Sequence, residues 1–160
     1  MLIVSDASPI ICLAICGKLN LLDRLFDRVC IPQAVYDEMI VPNRLKAAEI
    51  AEWGKSRIVT VKETAVVTAL SLTLGLGESE AISLYLETGA DYLLIDEKRG
   101  RTIASRNGIR VVGTMGILLL AKQKGFLGTI KPVLDAIMQT DFRVSDTLYR
   151  QMLAKAGEKF

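Results

Sequence analysis

The chain has 160 residues, with 20 Lys and Arg against 18 Asp and Glu and no histidine. That length suits one domain, 1–160, able to bury an apolar core without disulfides or a structural metal, and the near-neutral charge points to no class of partner. The missing histidine excludes a Ser-His-Asp triad, a Cys-His pair, a His-ligated zinc site and a His general base within this chain, so chemistry falls to carboxylates, Lys and Arg, hydroxyls or thiols.

In chain order, Leu2–Ser5 reads as a short buried strand. Ser8-Pro9 reads as an N-cap with proline at the first helical position, opening a helix to about Cys16 that ends at Gly17. A short helix over about Leu19–Phe26 follows, then a strand at Val29–Ile31 and a helix from Pro32 to about Val41. Asn43 is read as the cap of a helix to about Trp53, and Ile58–Val61 as a strand. Thr64–Leu74 has helical length but many β-branched residues; it is taken as a helix broken by Gly75–Gly77. Glu78–Thr88 is a helix closed by Gly89, Tyr92–Ile95 a strand, Lys98–Asn107 a basic helix and Arg110–Val112 the last strand. Helices over Thr114–Lys124, Thr129–Gln139 and Asp146–Ala156 complete the chain, the last capped by Ser145.

Short apolar strands alternating with helices predict strands buried on both faces. The expected fold is therefore a three-layer α/β/α domain around a central, mainly parallel sheet of about five short strands. No apolar stretch reaches the ~20 residues of a membrane-spanning helix. Met1–Cys16 lacks the basic start of a signal peptide and carries Asp6 and Pro9 inside its apolar run, so the cytoplasm is the expected location. Cys12, Cys16 and Cys30 sit among apolar neighbours and read as small buried hydrophobes.

Open α/β sheets bind ligands at the carboxyl ends of their strands. Asp6 and Asp96 each directly follow a strand; Asp37 and Glu38 lie on the helix after the second strand, and Glu78 and Glu80 open the helix before the fourth. Acids in a first helical turn also complement the helix dipole. Positions two apart on a helix point away from each other. The apolar positions of this helix put Glu78 nearer the buried side and Glu80 on the far side, provided that Glu78 is helical. Clustered carboxylates repel unless cations neutralise them, and their hard oxygens suit Mg²⁺ or Mn²⁺. Two such ions suit phosphodiester hydrolysis. Lys98, Arg99, Arg101, Arg106 and Arg110 follow Asp96 and are placed to hold a phosphate backbone, or simply to line a solvated helix face.

The segments SDASPIICLA, IPQAVYDEM, LGLGESEAISLYLETGA, YLLIDEKRGRTIASRNGIRVVGTMGILLLAKQKG and FRVSDTLYRQMLAKAGE, in this order and spacing, resemble the PIN-domain ribonucleases. The closest likeness is to the nucleic-acid-binding branch related to the toxins of type II toxin–antitoxin pairs. The resemblance implies a PIN-like fold and a catalytic set of Asp6, Glu38, Glu80 and Asp96. Metal contacts would come from Asp6, Asp96 and either Glu80 or Glu78, where motif position favours Glu80 and the helical face favours Glu78. It also implies Ser8 near the metal, substrate contacts from Lys98, Arg99 and Arg101, a Mg²⁺ or Mn²⁺ cofactor and single-stranded RNA as substrate. A homodimer and an antitoxin partner are further implications. The family's last acid is commonly preceded by Thr or Ser, and here that place is Ile95. Two rivals share the sheet type. One is a non-catalytic RNA- or antitoxin-binding PIN module. The other is a receiver-like phospho-switch, which needs an acidic pair after the first strand, where this chain has Asp6-Ala7.

Overall fold

In the computed structural model, which describes residues 1–159, five strands form a single parallel sheet. The elements are β1 (Leu2–Ser5), α1 (Ala7–Ile15), α2 (Asn20–Leu25), β2 (Arg28–Pro32), α3 (Gln33–Met39), α4 (Ala47–Gly54), β3 (Ile58–Val59) and α5 (Thr64–Leu70). They continue with α6 (Leu76–Thr88), β4 (Tyr92–Leu94), α7 (Lys98–Arg106), β5 (Val111–Val112), α8 (Thr114–Gln123), α9 (Lys131–Met138) and α10 (Asp146–Lys155).

The strand order is β3-β2-β1-β4-β5. Register aligns Ile3 with Val29 and with Tyr92, and Ser5 with Leu94. Successive residues Ile3 and Val4 are both fully buried, as are Leu93 and Leu94. Burial at consecutive positions means that both faces are covered, which explains the continuous apolar runs in these strands. Helix α6 lies across β1, β2 and β4 and packs against α3 and α5, while α8 packs with α1, α2 and α10. The sheet is thus flanked by helices in the three-layer arrangement expected. Its order differs from the 2-1-3-4-5 order of receiver-type sheets, which removes that rival. Among the described residues no helix is long and apolar enough to cross a membrane.

Several boundaries differ from the sequence reading, each for a local reason. Helix α1 starts at Ala7, so Asp6 holds the N-cap position and Ser8 is already in the first turn. Helix α3 starts after Pro32, which ends β2 in extended conformation. Asn43 does not cap α4: Asn43 and Lys46 both take left-handed backbone angles (φ 67° and 66°), and the chain turns before helix begins at Ala47. Helix α5 stops at Leu70 and buries no residue, in keeping with its β-branched content. Helix α6 begins at Leu76, so Gly77 and Glu78 are helical and not loop. The edge strands β3 and β5 are shorter than expected, at two residues each. The Ser145 cap is present: its hydroxyl accepts from the Leu148 N–H at 3.1 Å. Cys12 and Cys30 are buried, Cys16 is half-buried, and all three are free thiols.

Candidate active site

The sheet order reverses direction between β1 and β4, the crevice where open α/β sheets place ligands. Asp6 leaves the end of β1 and Asp96 follows β4. The Asp6 N–H donates to the Leu94 carbonyl at 2.9 Å, so the two strand ends are tied through backbone. Asp6 is only 5% exposed. Burial raises its pKa first; the Ala7 N–H lowers it, and Glu78, Glu38 and Asp96 raise it again, leaving it pushed up to about 7.

The other acids of the cluster arrive from two helices. Exposed Glu38 reaches in from α3; its Oε2 and the Asp6 Oδ1 both lie within 4 Å of where a Cβ on Gly77 would stand, at 3.0 and 3.7 Å. Gly77 therefore leaves the room these two carboxylates occupy. Glu78, in the first turn of α6, is held above the ordinary carboxylate range by burial, then by Glu97 and Glu38, against a Gly75 N–H bond and Arg99 that lower it. Its Oε2 is buried with no hydrogen-bond partner among the described residues. That atom would sit 2.5 Å from a Cβ on Gly100, and the Ile95 side chain 2.6 Å from it, so α7 can approach Glu78 only because position 100 is glycine. Glu80 faces elsewhere. Its Oε2 accepts from the Ala34 N–H at 3.1 Å, satisfying the first turn of α3, and it shares a shallow concavity with Gln33, Asp37 and Glu38. Glu78 is thus among the charges that raise the Asp6 pKa, while Glu80 caps α3 within the concavity it shares with Glu38.

Asp96 is held by a residue that sequence reasoning passed over. Thr114, fully buried at the start of α8, donates its N–H to Asp96 Oδ1 at 2.8 Å and its hydroxyl to Oδ2 at 2.5 Å. Burial raises the Asp96 pKa above its usual range, while these two bonds and the Arg101 charge pull it down. Arg101 donates to the Ile95 carbonyl at 2.7 Å. A Cβ on Gly113 would meet Asp96 Oδ1 at 2.7 Å and the Arg101 Nη1 at 2.9 Å, so both groups crowd that glycine. The hydroxyl missing at Ile95 is supplied here from a different strand end. A sequence signal existed, since Gly113-Thr114 follows β5 just as Asp6 follows β1. Thr114→Val keeps the shape and the N–H but removes the hydroxyl. If Asp96 is a metal ligand, its supporting hydroxyl is worth about 10–100-fold in metal affinity, read by Mn²⁺ titration calorimetry.

Of the expected substrate residues, Lys98 and Arg101 line one open groove with Asp96, Thr102, Ser105 and Arg106. Arg99 is turned away; it donates to the Thr73 carbonyl at 3.2 Å and lies near Glu78. Ser8 is exposed and lines a different groove along α1. Among the described residues no three acids converge on one point as ligands of a single ion would. The donor set is nevertheless all oxygen, and it includes an orphaned buried carboxylate atom on Glu78 and a carboxyl on Asp6 that resists ionising alone. These residues fit a hard divalent cation.

No curated protein and no solved structure matches the chain. A family model described as a PIN domain matches residues 2–158. The match runs from β1 to beyond α10 and so takes in the whole sheet and every acid above: the chain belongs to the PIN-domain family, whose fold is that of nucleases.

Proposed function

We propose that this protein is a Mg²⁺- or Mn²⁺-dependent endoribonuclease that hydrolyses phosphodiester bonds in single-stranded RNA, with Asp6, Glu38, Glu78 and Asp96 as its catalytic carboxylates. The observation that carries this reading is Asp6: a buried carboxyl at the sheet's switch point, acted on by the charges of Glu78, Glu38 and Asp96, with its pKa pushed up to about 7. Such an arrangement costs stability unless cations share it. Bound divalent cations supply water activation and charge neutralisation at the scissile phosphate.

The chain's own residues supply the rest. Asp6 and Asp96 hold the centre from two paired strands, which limits their relative movement. Thr114 fixes the Asp96 carboxylate, and Arg101, tied to the Ile95 carbonyl, keeps a positive charge beside it. Glu78 offers its unpartnered Oε2 beside Gly100, and Glu38 lies with Asp6 against Gly77. Lys98, Arg101 and Arg106 line the groove running from Asp96 and hold the backbone phosphates of the strand. Glu80 acts at a distance, by fixing α3 and with it Glu38.

The reading extends to a homodimer and, where the neighbouring gene encodes a small DNA-binding protein, to the toxin of a type II toxin–antitoxin pair. The observation that no three acids converge supports a second reading, a PIN module that binds RNA without cutting it.

One experiment separates the two. Purified protein is incubated with single-stranded RNA and Mg²⁺ or Mn²⁺, with and without EDTA, as wild type, Glu78→Gln and Glu80→Gln. Metal-dependent cleavage is expected in wild type. Glu78→Gln is expected to lose more than about 100-fold, since even supporting residues of a metal site cost 10–100-fold. Glu80→Gln should stay within about tenfold. Cleavage that ignores EDTA, or a larger loss from Glu80→Gln than from Glu78→Gln, overturns the assignment.

A further inference from the structure

The groove that Ser8 opens onto is distinct from the basic groove at Asp96, and nothing above gives it a role. It has a volume of about 700 Å³, within the range of sites that enclose small ligands. Its floor is the half-buried Ile11 and Ile15 of α1. One wall is the turn before α4, with Arg44 and with Leu45, which is 62% exposed. The other wall is the end of α9 and the segment after it, with Gln139 and the half-buried ring of Phe142. The side chains of Ser8, Arg44, Gln139 and Asp141 on its rim have no hydrogen bond or ion pair among the described residues.

Resting on the nuclease reading above, we propose that this groove binds an unpaired nucleobase of the RNA strand next to the phosphate that is cut, and so sets base preference. The first argument is continuity. Ser8, which lines the groove, follows Asp6 by two residues in the first turn of α1, so their backbones lie within one helical turn of each other. The second is chemistry. A splayed base needs an apolar slot, a flat group to stack on and polar groups for its edge. Ile11, Ile15 and Leu45 make the slot, while the Phe142 ring and the Arg44 guanidinium are the flat groups. The Gln139 amide both donates and accepts, and the Asp141 carboxylate accepts, as an edge-reading site requires. The third is charge. The cations that suit phosphates lie beyond Asp96, in the groove with Lys98, Arg101 and Arg106, whereas this groove has one cation and an apolar floor. Backbone and base are thereby held in separate places.

The test uses Asp6→Asn protein, so that bound RNA is not consumed, and measures fluorescence anisotropy in Mg²⁺. Two probes of equal length are compared: a short single-stranded RNA of mixed sequence and an abasic ribose-phosphate strand. Leu45→Ala and Gln139→Ala are added singly and together; both positions are exposed, and circular dichroism checks the fold. The double variant is expected to bind the RNA about 5- to 100-fold more weakly, from the apolar contact and the base-edge hydrogen bond it removes, with the abasic strand changed by less than about twofold. Equal weakening of both strands overturns the proposal in favour of a backbone contact. No weakening of either overturns it too, and leaves the nuclease reading intact if wild type still cuts RNA. A changed sedimentation coefficient with unchanged RNA affinity assigns the groove to a protein partner and overturns it. Selective weakening in a protein whose wild type binds but never cuts RNA keeps the base groove and rejects the nuclease. A wild type that binds no RNA rejects both.

Discussion

Asp6→Asn is expected to abolish metal-dependent RNA cleavage, by more than about 100-fold, and at the same time to make the metal-free protein more stable. The two effects have one origin. Asp6 is buried among acids, and its pKa is pushed up to about 7, first by burial and then by Glu78, Glu38 and Asp96. At pH 8 the folded protein carries that charge at a cost. A shift from 3.8 to about 7 corresponds to at most about 4 kcal/mol, at 1.36 kcal/mol per pKa unit. Asparagine keeps the size and an oxygen for the Ala7 N–H but removes the charge. Urea denaturation in EDTA at pH 8 should show the variant more stable than wild type by up to about 4 kcal/mol. Loss of both activity and stability would mean that Asp6 holds the fold together instead of loading the centre with charge. Asp96→Asn should lose activity alike but gain less stability, because Thr114 already satisfies both carboxylate oxygens in the charged form.

The second large effect is the joint response to pH and metal. Asp6, Glu78 and Asp96 all have raised pKa values in the folded chain. A carboxyl whose folded pKa exceeds its unfolded one binds more protons when folded, so its stabilising share is complete below the unfolded pKa. That share is lost as pH rises through the folded value. For Asp6 the loss spans pH 3.8 to about 7. Metal-free wild type should therefore be more stable at pH 5 than at pH 8. Mn²⁺ should offset that loss, stabilising the protein more at pH 8 than at pH 5, since at pH 8 protons no longer compete for the carboxylates. A cation at 100 times its Kd adds about 2.7 kcal/mol. Thermal melts at both pH values, with Mn²⁺ and with EDTA, check this; a Mn²⁺ shift as large at pH 5 as at pH 8 would place the cation away from these acids.

Central strands were easy to recognise in the sequence and edge strands were not. Ile3, Val4, Leu93 and Leu94 are covered on both faces, so their apolar runs are unbroken. At the edges β3 and β5 have only half-buried residues, and the runs there overstate their length. Helix starts failed where one residue type serves two roles. Asp6 takes the N-cap position that Ser8 was given, and Asn43 makes a left-handed turn where a cap was expected. Glu78 was visible from the helical face, but only on the condition that α6 begins before it, which it does at Leu76. Thr114 was hidden because its partner Asp96 lies 18 residues away, a distance that no local pattern spans. Gly77, Gly100 and Gly113 read as breakers or as nothing, yet each lies against an acid of the centre. Their meaning depends on what fills the space of a missing side chain, which spacing along a chain does not record.

The backbone tie from Asp6 to Leu94 also sets when the centre comes into being. Strand β1 is made first but lies between β2 and β4, so its second neighbour is synthesised only after α6. At ordinary rates of translation the wait is roughly 5–20 s. Throughout that time the growing chain has Asp6 without Asp96 beside it, and Asp96 in turn waits for Thr114. A growing chain therefore has Asp6, Asp96 and Thr114 together only once the start of α8 has been made.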